Sequence, residues 1–265
     1  MGGLCNRLRA MLSALALSHD YDGTIRVEWH PTAECRARFE DLFVPIGSGR
    51  FVIENGHWWT IPSRKSNLHI PRILRTLMGY TSQHDDYRPT SLGDVSEMLR
   101  HHKKVYLSSG MQLADYPHEC LHRLQPRYEL KQRIEQLKRQ FAETTIGVHI
   151  RRTDNARSIE ESPVSAFVAA MKKELQRNAK VKFFVATDDA AVKEELKRLF
   201  SAHIITQQSA VRRDTVEGMR DALVDLWCLA STQHILGSYW SSFTDTAAEI
   251  GHVPLTVVRN VQDSK

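Results

Sequence analysis

"TIGVHIRRTDNARSIEESPVSAFVAAMKKELQRNAKVKFFVATDDAAVKEELKRLF", residues 145–200, decides the fold class. TIGVHI (145–150) is a short β-rich run, and PVSAFVAAMKKELQ (163–176) repeats its apolar residues at helical spacing. VKFFVAT (181–187) is a second β-rich run, and AAVKEELKRLF (190–200) a second amphipathic helix. Strand, helix, strand, helix predicts βαβ units around a parallel sheet. The alternation continues with a strand at HIIT (203–206), a helix over 216–231, a strand at HILGS (234–238), a helix over 242–251 and a strand at LTVV (255–258). Upstream, QPRYELKQRIEQLKRQF (125–141) reads as a helix opened by Pro126, with Leu130, Ile134, Leu137 and Phe141 on one face.

The first half is less regular. A helix over about 6–18 leads to the strand TIRVEW (24–29). A strand at FVI (51–53), helices in IPRILRTLM (70–78) and LGDVSEMLRHH (92–102), and a strand at KVYLSS (104–109) follow. NGHWWTIPSRKSN (55–67) and GYTSQHDDYRPT (79–90) read as irregular segments, rich in aromatics and turn formers. A boundary near residue 125 gives two comparable α/β domains, 1–125 and 126–265, expected to face each other across a cleft.

Composition narrows the class. The 265 residues are 42% hydrophobic and 25% charged, ordinary for a globular protein. The formal net charge of +5 favours anionic ligands. Basic residues are interleaved with acids, as in KEELKRLF, so no phosphate-tracking stripe points to nucleic acid. The four cysteines, Cys5, Cys35, Cys120 and Cys228, form no metal-binding spacing and suit a reduced compartment. No apolar run approaches the roughly 18 residues of a membrane span. The start MGGLCNRLRAMLSALALSHD imitates a signal peptide, with Arg7 and Arg9 before a short apolar run, while the same residues also read as a helix.

The charged residues cluster at strand ends, where ligands gather in parallel sheets. In GVHIRRTD, His149, Arg151, Arg152 and Asp154 follow an apolar run. Guanidinium groups suit phosphate because they are permanently charged planar forks; the competing reading is an Arg–Asp pair that pins a loop. Asp188 and Asp189 end the next strand, and one of them is expected to cap the helix that follows. Asp225 lies in the apolar helical stretch DALVDLW and needs a donor, which a guanine edge would supply; a half-exposed helix position is the alternative. Ser241 and Ser242 open the helix after HILGS, either as caps or as phosphate ligands. In GGLCNRL, Gly3, Asn6 and Arg7 stand where a helix start could approach an anion, whereas GSGR (47–50) reads as an ordinary turn. Trp58 and Trp59 could stack on sugar rings or fill core.

Taken together, GGLCNRLRA, GVHIRRTD, FFVATDD, DALVDLWCLAS and GSYWSSFTDTAAEI resemble, in order and spacing, the GDP-fucose-dependent fucosyltransferase superfamily. The likeness is to the α1,6-fucosyltransferases of core N-glycan and nodulation-factor type, with kinship to protein O-fucosyltransferases. It implies a GT-B-like α/β architecture of two facing Rossmann-type domains with parallel sheets, an acceptor-side half (1–125) and a donor-binding half (126–265). It also implies inverting transfer of L-fucose from GDP-β-L-fucose to a glycan or glycoconjugate hydroxyl, with no obligatory metal ion and no cofactor beyond the donor. By the resemblance, Arg151 contacts the donor β-phosphate with Arg152 in support, His149 and Asp225 recognise guanine, and Ser241 lies near the β-phosphate. Gly3, Asn6 and Arg7 fall on the first-half loop that closes on pyrophosphate and sugar, and Asp154 and Asp189 orient these groups. The family's catalytic glutamate falls in the loop NARSIEESP; Glu160 and Glu161 are both present there, though neither aligns without a gap. The family also carries a strand before the glycines, so a longer natural N-terminus or a trimmed first domain is expected. A cytoplasmic enzyme fits best. A GDP-sugar-binding protein that has lost transfer is the alternative reading, and a basic nucleic-acid-binding protein the third.

Overall fold

The computed structural model describes residues 2–47, 49–56, 72–85, 92–153, 156–208, 212 and 214–260. The chain divides into two compact units, Met1–Gln125 and Pro126–Lys265.

In the first unit, α1 (Leu4–Asp20) precedes β1 (Ile25–Trp29), a 3-10 helix (Phe39–Asp41) and β2 (Phe51–Asn55). α2 (Arg72–Leu77), β3 (Ser82–Asp85), α3 (Leu92–His101), β4 (Val105–Ser108) and α4 (His118–His122) follow. α1 forms because Leu4, Leu8, Met11, Leu12 and Leu15 repeat at helical spacing, and all five are buried. The Ser13 hydroxyl ties this helix to a distant loop, donating to the Ala114 carbonyl and accepting from the Leu113 amide at 3.0 Å each. Among the described residues the strands form two parallel pairs, β1–β2 and β3–β4. β3 lies inside a segment whose sequence reads as irregular. Ser82-Gln83-His84-Asp85 has no apolar alternation to announce a strand, and its pairing with β4 supplies the order that its side chains do not.

The second unit holds α5 (Tyr128–Lys138), β5 (Thr145–Ile150), α6 (Ala156–Glu161), α7 (Val164–Arg177), β6 (Lys182–Thr187) and α8 (Ala190–Phe200). A second 3-10 helix (Ser201–His203), β7 (Ile204–Ile205), α9 (Val216–Ala230), β8 (His234–Ser238), α10 (Ser242–Gly251) and β9 (Leu255–Val258) complete it. Five parallel strands run in the order β7-β6-β5-β8-β9. β5 is buried at every position, as a central strand covered on both faces must be. Ile146, Val148 and Ile150 join Phe183, Val185 and Leu236 from the sheet with Phe167 and Met171 of α7 and Leu196 and Phe200 of α8 in one apolar core. No described helix is long and apolar enough to cross a membrane.

Two glycines let helices close onto the sheet. A Cβ on Gly237 of β8 would lie 2.1 Å from Thr244 Cγ2 of α10, and one on Gly147 of β5 would lie 2.8 Å from Thr232 Oγ1. Gly237→Ala therefore forces α10 away from β8 and should cost about 1–3 kcal/mol. Urea denaturation measures this directly, and a variant as stable as the wild type would contradict the close packing.

Candidate functional site

The strand order turns at β5: the chain moves outward through β6 and β7, then crosses back to place β8 on the other side of β5. In open α/β sheets the crevice beyond the carboxyl ends at such a reversal is the ordinary ligand position. The last residues of β5 lead into Arg151 and Arg152, and those of β8 lead into Tyr239, Trp240 and Ser241. A single hydroxyl joins the two strand ends. Ser238 Oγ accepts from the Arg151 backbone amide at 3.0 Å and donates to the His149 carbonyl at 3.2 Å. The polypeptide on either side of Arg151 is thereby fixed to the end of β8.

His149 is 8% exposed. Its Nδ1 shares a 2.6 Å hydrogen bond with Thr244 Oγ1, and its ring stacks on Phe243 at 4.8 Å between centroids. α10 thus orients the imidazole from one side. Ser241 precedes α10 in the N-cap position, yet makes no side-chain cap hydrogen bond. The residue is 1% exposed, and among the described residues its Oγ has no hydrogen-bond partner. A buried hydroxyl left unpaired is costly. Here it sits at the positive end of a ten-residue helix, a position that suits an anionic oxygen. Trp240, just before it, has φ 50, a left-handed conformation that is uncommon outside glycine. Ser242 is the first residue of α10 and is half-buried.

Arg152 does structural work. Its Nη1 reaches the carbonyls of Ile159 and Ser162, at 3.4 and 3.3 Å, across the end of α6. Its amide donates to Asp188 Oδ1 at 2.6 Å, and Thr153 donates to Asp188 Oδ2 through its hydroxyl at 2.7 Å. Asp188 is therefore the acid that holds the turn after β5. Asp189, expected by the resemblance to orient the donor-binding groups, is of the two aspartates the one that caps α8, accepting from the amides of Ala191 and Val192 at 2.8 and 3.3 Å. Asp154, like Trp58 and Trp59, lies outside the described residues.

The segment expected as a loop carrying the glutamates is the helix α6, with Glu160 exposed and Glu161 half-buried. Ala-Arg-Ser-Ile-Glu-Glu has the helix formers for one short turn, and the Ser162 amide closes it onto the Ser158 carbonyl at 3.0 Å. Ser162 is fully buried; its hydroxyl accepts from the Tyr239 amide at 2.9 Å and donates to the Val258 carbonyl. It thereby joins α6, the end of β8 and the end of β9.

Asp225 finds its donor inside the protein. Gln207 Nε2 donates to Asp225 Oδ1 at 2.6 Å and to the Asp221 carbonyl at 2.8 Å. Gln207 is held in turn by Lys193 Nζ, 3.1 Å from its carbonyl, and by Arg133 Nη2, 3.0 Å from its Oε1. Arg133 also pairs closely with Asp221. Burial, the largest influence, pushes the Asp225 carboxyl from 3.8 up to about 7, against the hydrogen bond from Gln207 and the positive charge of Lys193.

In the first unit, Arg7 is committed to its own domain. Its Nε donates to the Gly2 carbonyl at 2.9 Å, Nη1 to the His30 carbonyl and Nη2 to Thr32 Oγ1 at 2.7 Å. Its guanidinium also lies over the Trp29 ring, and burial lowers its pKa. Arg7, expected on the loop that closes on pyrophosphate and sugar, thus clasps the start of α1 to the end of β1. Gly3 is the N-cap of α1 with an ordinary φ of −65. Gly2, at φ 125, is the glycine whose conformation demands one, and a Cβ there would meet Asn6 Nδ2 at 2.9 Å. A cavity of about 410 Å³ lies in this unit. Its long walls are β1 and β4, and its floor is Ala10, Met11 and Ala14 of α1, so it is a gap between two strand pairs and not a crevice at strand ends.

The fold is similar to that of solved fucosyltransferases. NodZ alpha-1,6-fucosyltransferase, in a crystal soaked with GDP-fucose, superposes with a TM-score of 0.62 at 19% identity, covering 97% of this chain and 91% of that one. Fucosyltransferase NodZ from Bradyrhizobium gives 0.59 at 20% identity, covering 93% and 89%. The apo form of POFUT1 gives 0.59 at 12% identity, covering 97% and 95%. No protein-family model and no curated protein matches the sequence. The α/β architecture with parallel sheets expected from the sequence is thus the architecture of these fucosyltransferases.

The two adjacent aspartates should separate cleanly. Asp189→Ala should lower stability by about 1 kcal/mol through the lost cap, without altering ligand binding at the β5–β8 end. Asp188→Ala should weaken that binding, because the turn carrying Arg152 and Thr153 loses its anchor. Denaturation and ligand titration on both variants check the pair, and identical behaviour would contradict the division of roles.

Proposed function

We propose that this protein is a glycosyltransferase that moves L-fucose from GDP-β-L-fucose to a glycan or glycoconjugate hydroxyl with inversion, without requiring a metal ion. The observation that carries the reading is the buried Ser241 hydroxyl, without a partner among the described residues, at the start of α10, in the segment that follows β8 where Ser238 binds the Arg151 amide at the switch point of a parallel sheet. The likeness to NodZ, whose crystal was soaked with GDP-fucose, supplies the donor class.

On this reading the C1–O bond between fucose and the β-phosphate breaks as the acceptor oxygen forms its bond to C1 from the opposite face. The electron pair of the broken bond stays on GDP, and the sugar passes through an oxocarbenium-like state. Arg151, Ser241 and the backbone amides opening α10 stabilise the charge gathering on the leaving diphosphate. Arg152 and Asp188 act as positioning residues. Glu160 or Glu161 accepts the acceptor's proton. His149 and Asp225 read the guanine, the Asp225 carboxylate turning from Gln207 to accept from N1 and N2.

Arg151→Ala should lower transfer about 100-fold or more and weaken GDP binding while the melting temperature holds. Wild-type turnover would sink the assignment. Glu160→Gln and Glu161→Gln should differ, only one losing turnover with donor binding intact; two silent variants would remove both from the base role. Donor binding with neither transfer nor slow donor hydrolysis would favour the GDP-sugar-binding alternative.

The Asp225 pKa near 7 adds a pH signature. Guanine requires the ionised carboxylate, so GDP affinity should rise with pH through about 7, with proton release on binding, and Asp225→Asn should flatten the profile. Without ligand the sign is opposite. A carboxyl whose folded pKa exceeds its unfolded value favours the folded state at low pH, and that contribution fades between 3.8 and about 7. Calorimetry in buffers of differing ionisation enthalpy reads the proton count, and zero release at pH 7 would contradict the role.

A further inference from the structure

The turn between β8 and α10 carries two aromatic side chains that the donor reading leaves unused. Trp240 is 63% exposed and holds the left-handed φ of 50, whereas Tyr239 is half-buried. Two guanidiniums lie on their faces. Arg157 of α6 is 4.6 Å from the Trp240 ring centroid and 5.7 Å from that of Tyr239, and Arg259, just after β9, is 4.1 Å from Tyr239. Three separate elements thus bring two cations and two aromatic rings to the same carboxyl edge of the sheet. The Ser162 hydroxyl, which joins the same three elements, fixes the arrangement.

Among the described residues, neither Arg157 nor Arg259 forms an ion pair or a hydrogen bond with another side chain, even though Glu160 and Glu161 share the helix with Arg157. A guanidinium stacked on a ring keeps its N–H groups in the plane, pointing away from the ring and ready for a planar or tetrahedral anion. An exposed indole offers a flat face to the C–H side of a sugar ring. We propose that Arg157, Tyr239, Trp240 and Arg259 form an acceptor subsite for an acidic saccharide. One sugar ring lies on Trp240, and its carboxylate or sulfate is received by the two guanidiniums. The inference rests on the transferase reading for its link to catalysis: the subsite shares α6 with the two candidate bases and adjoins Ser241 in the chain.

The test is calorimetric titration of the full chain, saturated with GDP, with three probes: a tetragalacturonate, a heparin-derived tetrasaccharide and neutral chitotetraose. The acidic probes should bind about tenfold or more tightly than chitotetraose. Tight binding of the tetragalacturonate identifies a carboxylate subsite, and binding of the heparin tetrasaccharide with none of the tetragalacturonate a subsite that requires sulfate. Arg157→Gln and Arg259→Gln should each erase the acidic preference, and Arg198→Gln, an exposed control on α8, should preserve it. Equal affinity for acidic and neutral probes, or equal loss in the Arg198 control, would overturn the proposal. GDP affinity is read separately in the same variants and should be unchanged, so a failed donor site cannot be mistaken for a failed saccharide subsite.

Discussion

The Ser238 hydroxyl, bonded at once to the Arg151 amide and the His149 carbonyl, is the constraint on which the second domain's site depends. It links the ends of two neighbouring parallel strands at the topological reversal. With the backbone fixed there, Arg151 leaves the sheet beside the end of β8, and His149 meets Thr244 of α10. The close approach of α10 to β8 at Gly237 follows from the same packing, since a methyl group at that position would displace the helix. Site geometry and core packing are in this sense one construction.

Around that fixed point many of the described charges hold the structure together. Arg152, Asp188 and Asp189 hold turns and a helix start. Arg7 clasps its own domain, and Arg133 and Lys193 hold Gln207 against Asp225. Such internal pairing is what makes buried charge tolerable. Against it, the buried hydroxyls of Ser241 and Thr246, both at α10, have no partner among the described residues.

Much of this was legible in the sequence because the second half obeys local rules. TIGVHI, VKFFVAT and HILGS are strands where their β-rich character puts them, and the helices between them keep their apolar spacing. The first half yielded less. Ser82–Asp85 forms a strand without an apolar pattern, and α4 (His118–His122) is a five-residue helix in which only Cys120 and Leu121 are apolar. Candidate site residues were singled out where the signal was charge at a strand end, as with Arg151. Ser238, Thr244 and Gln207 escaped because serine, threonine and glutamine occur everywhere, and only tertiary neighbours make them specific. Asp188 and Asp189 illustrate the limit. Adjacent and chemically identical, they could be assigned their separate roles of turn anchor and helix cap only from coordinates.

The most direct test of the account is calorimetric titration of the protein with GDP, with GTP, ADP and UDP as controls, in the presence of a chelator. The account predicts that GDP binds preferentially and that chelation leaves its affinity unchanged, because fixed protein donors do the work at the diphosphate. Failure of GDP to bind, or binding that vanishes with chelation, would contradict it.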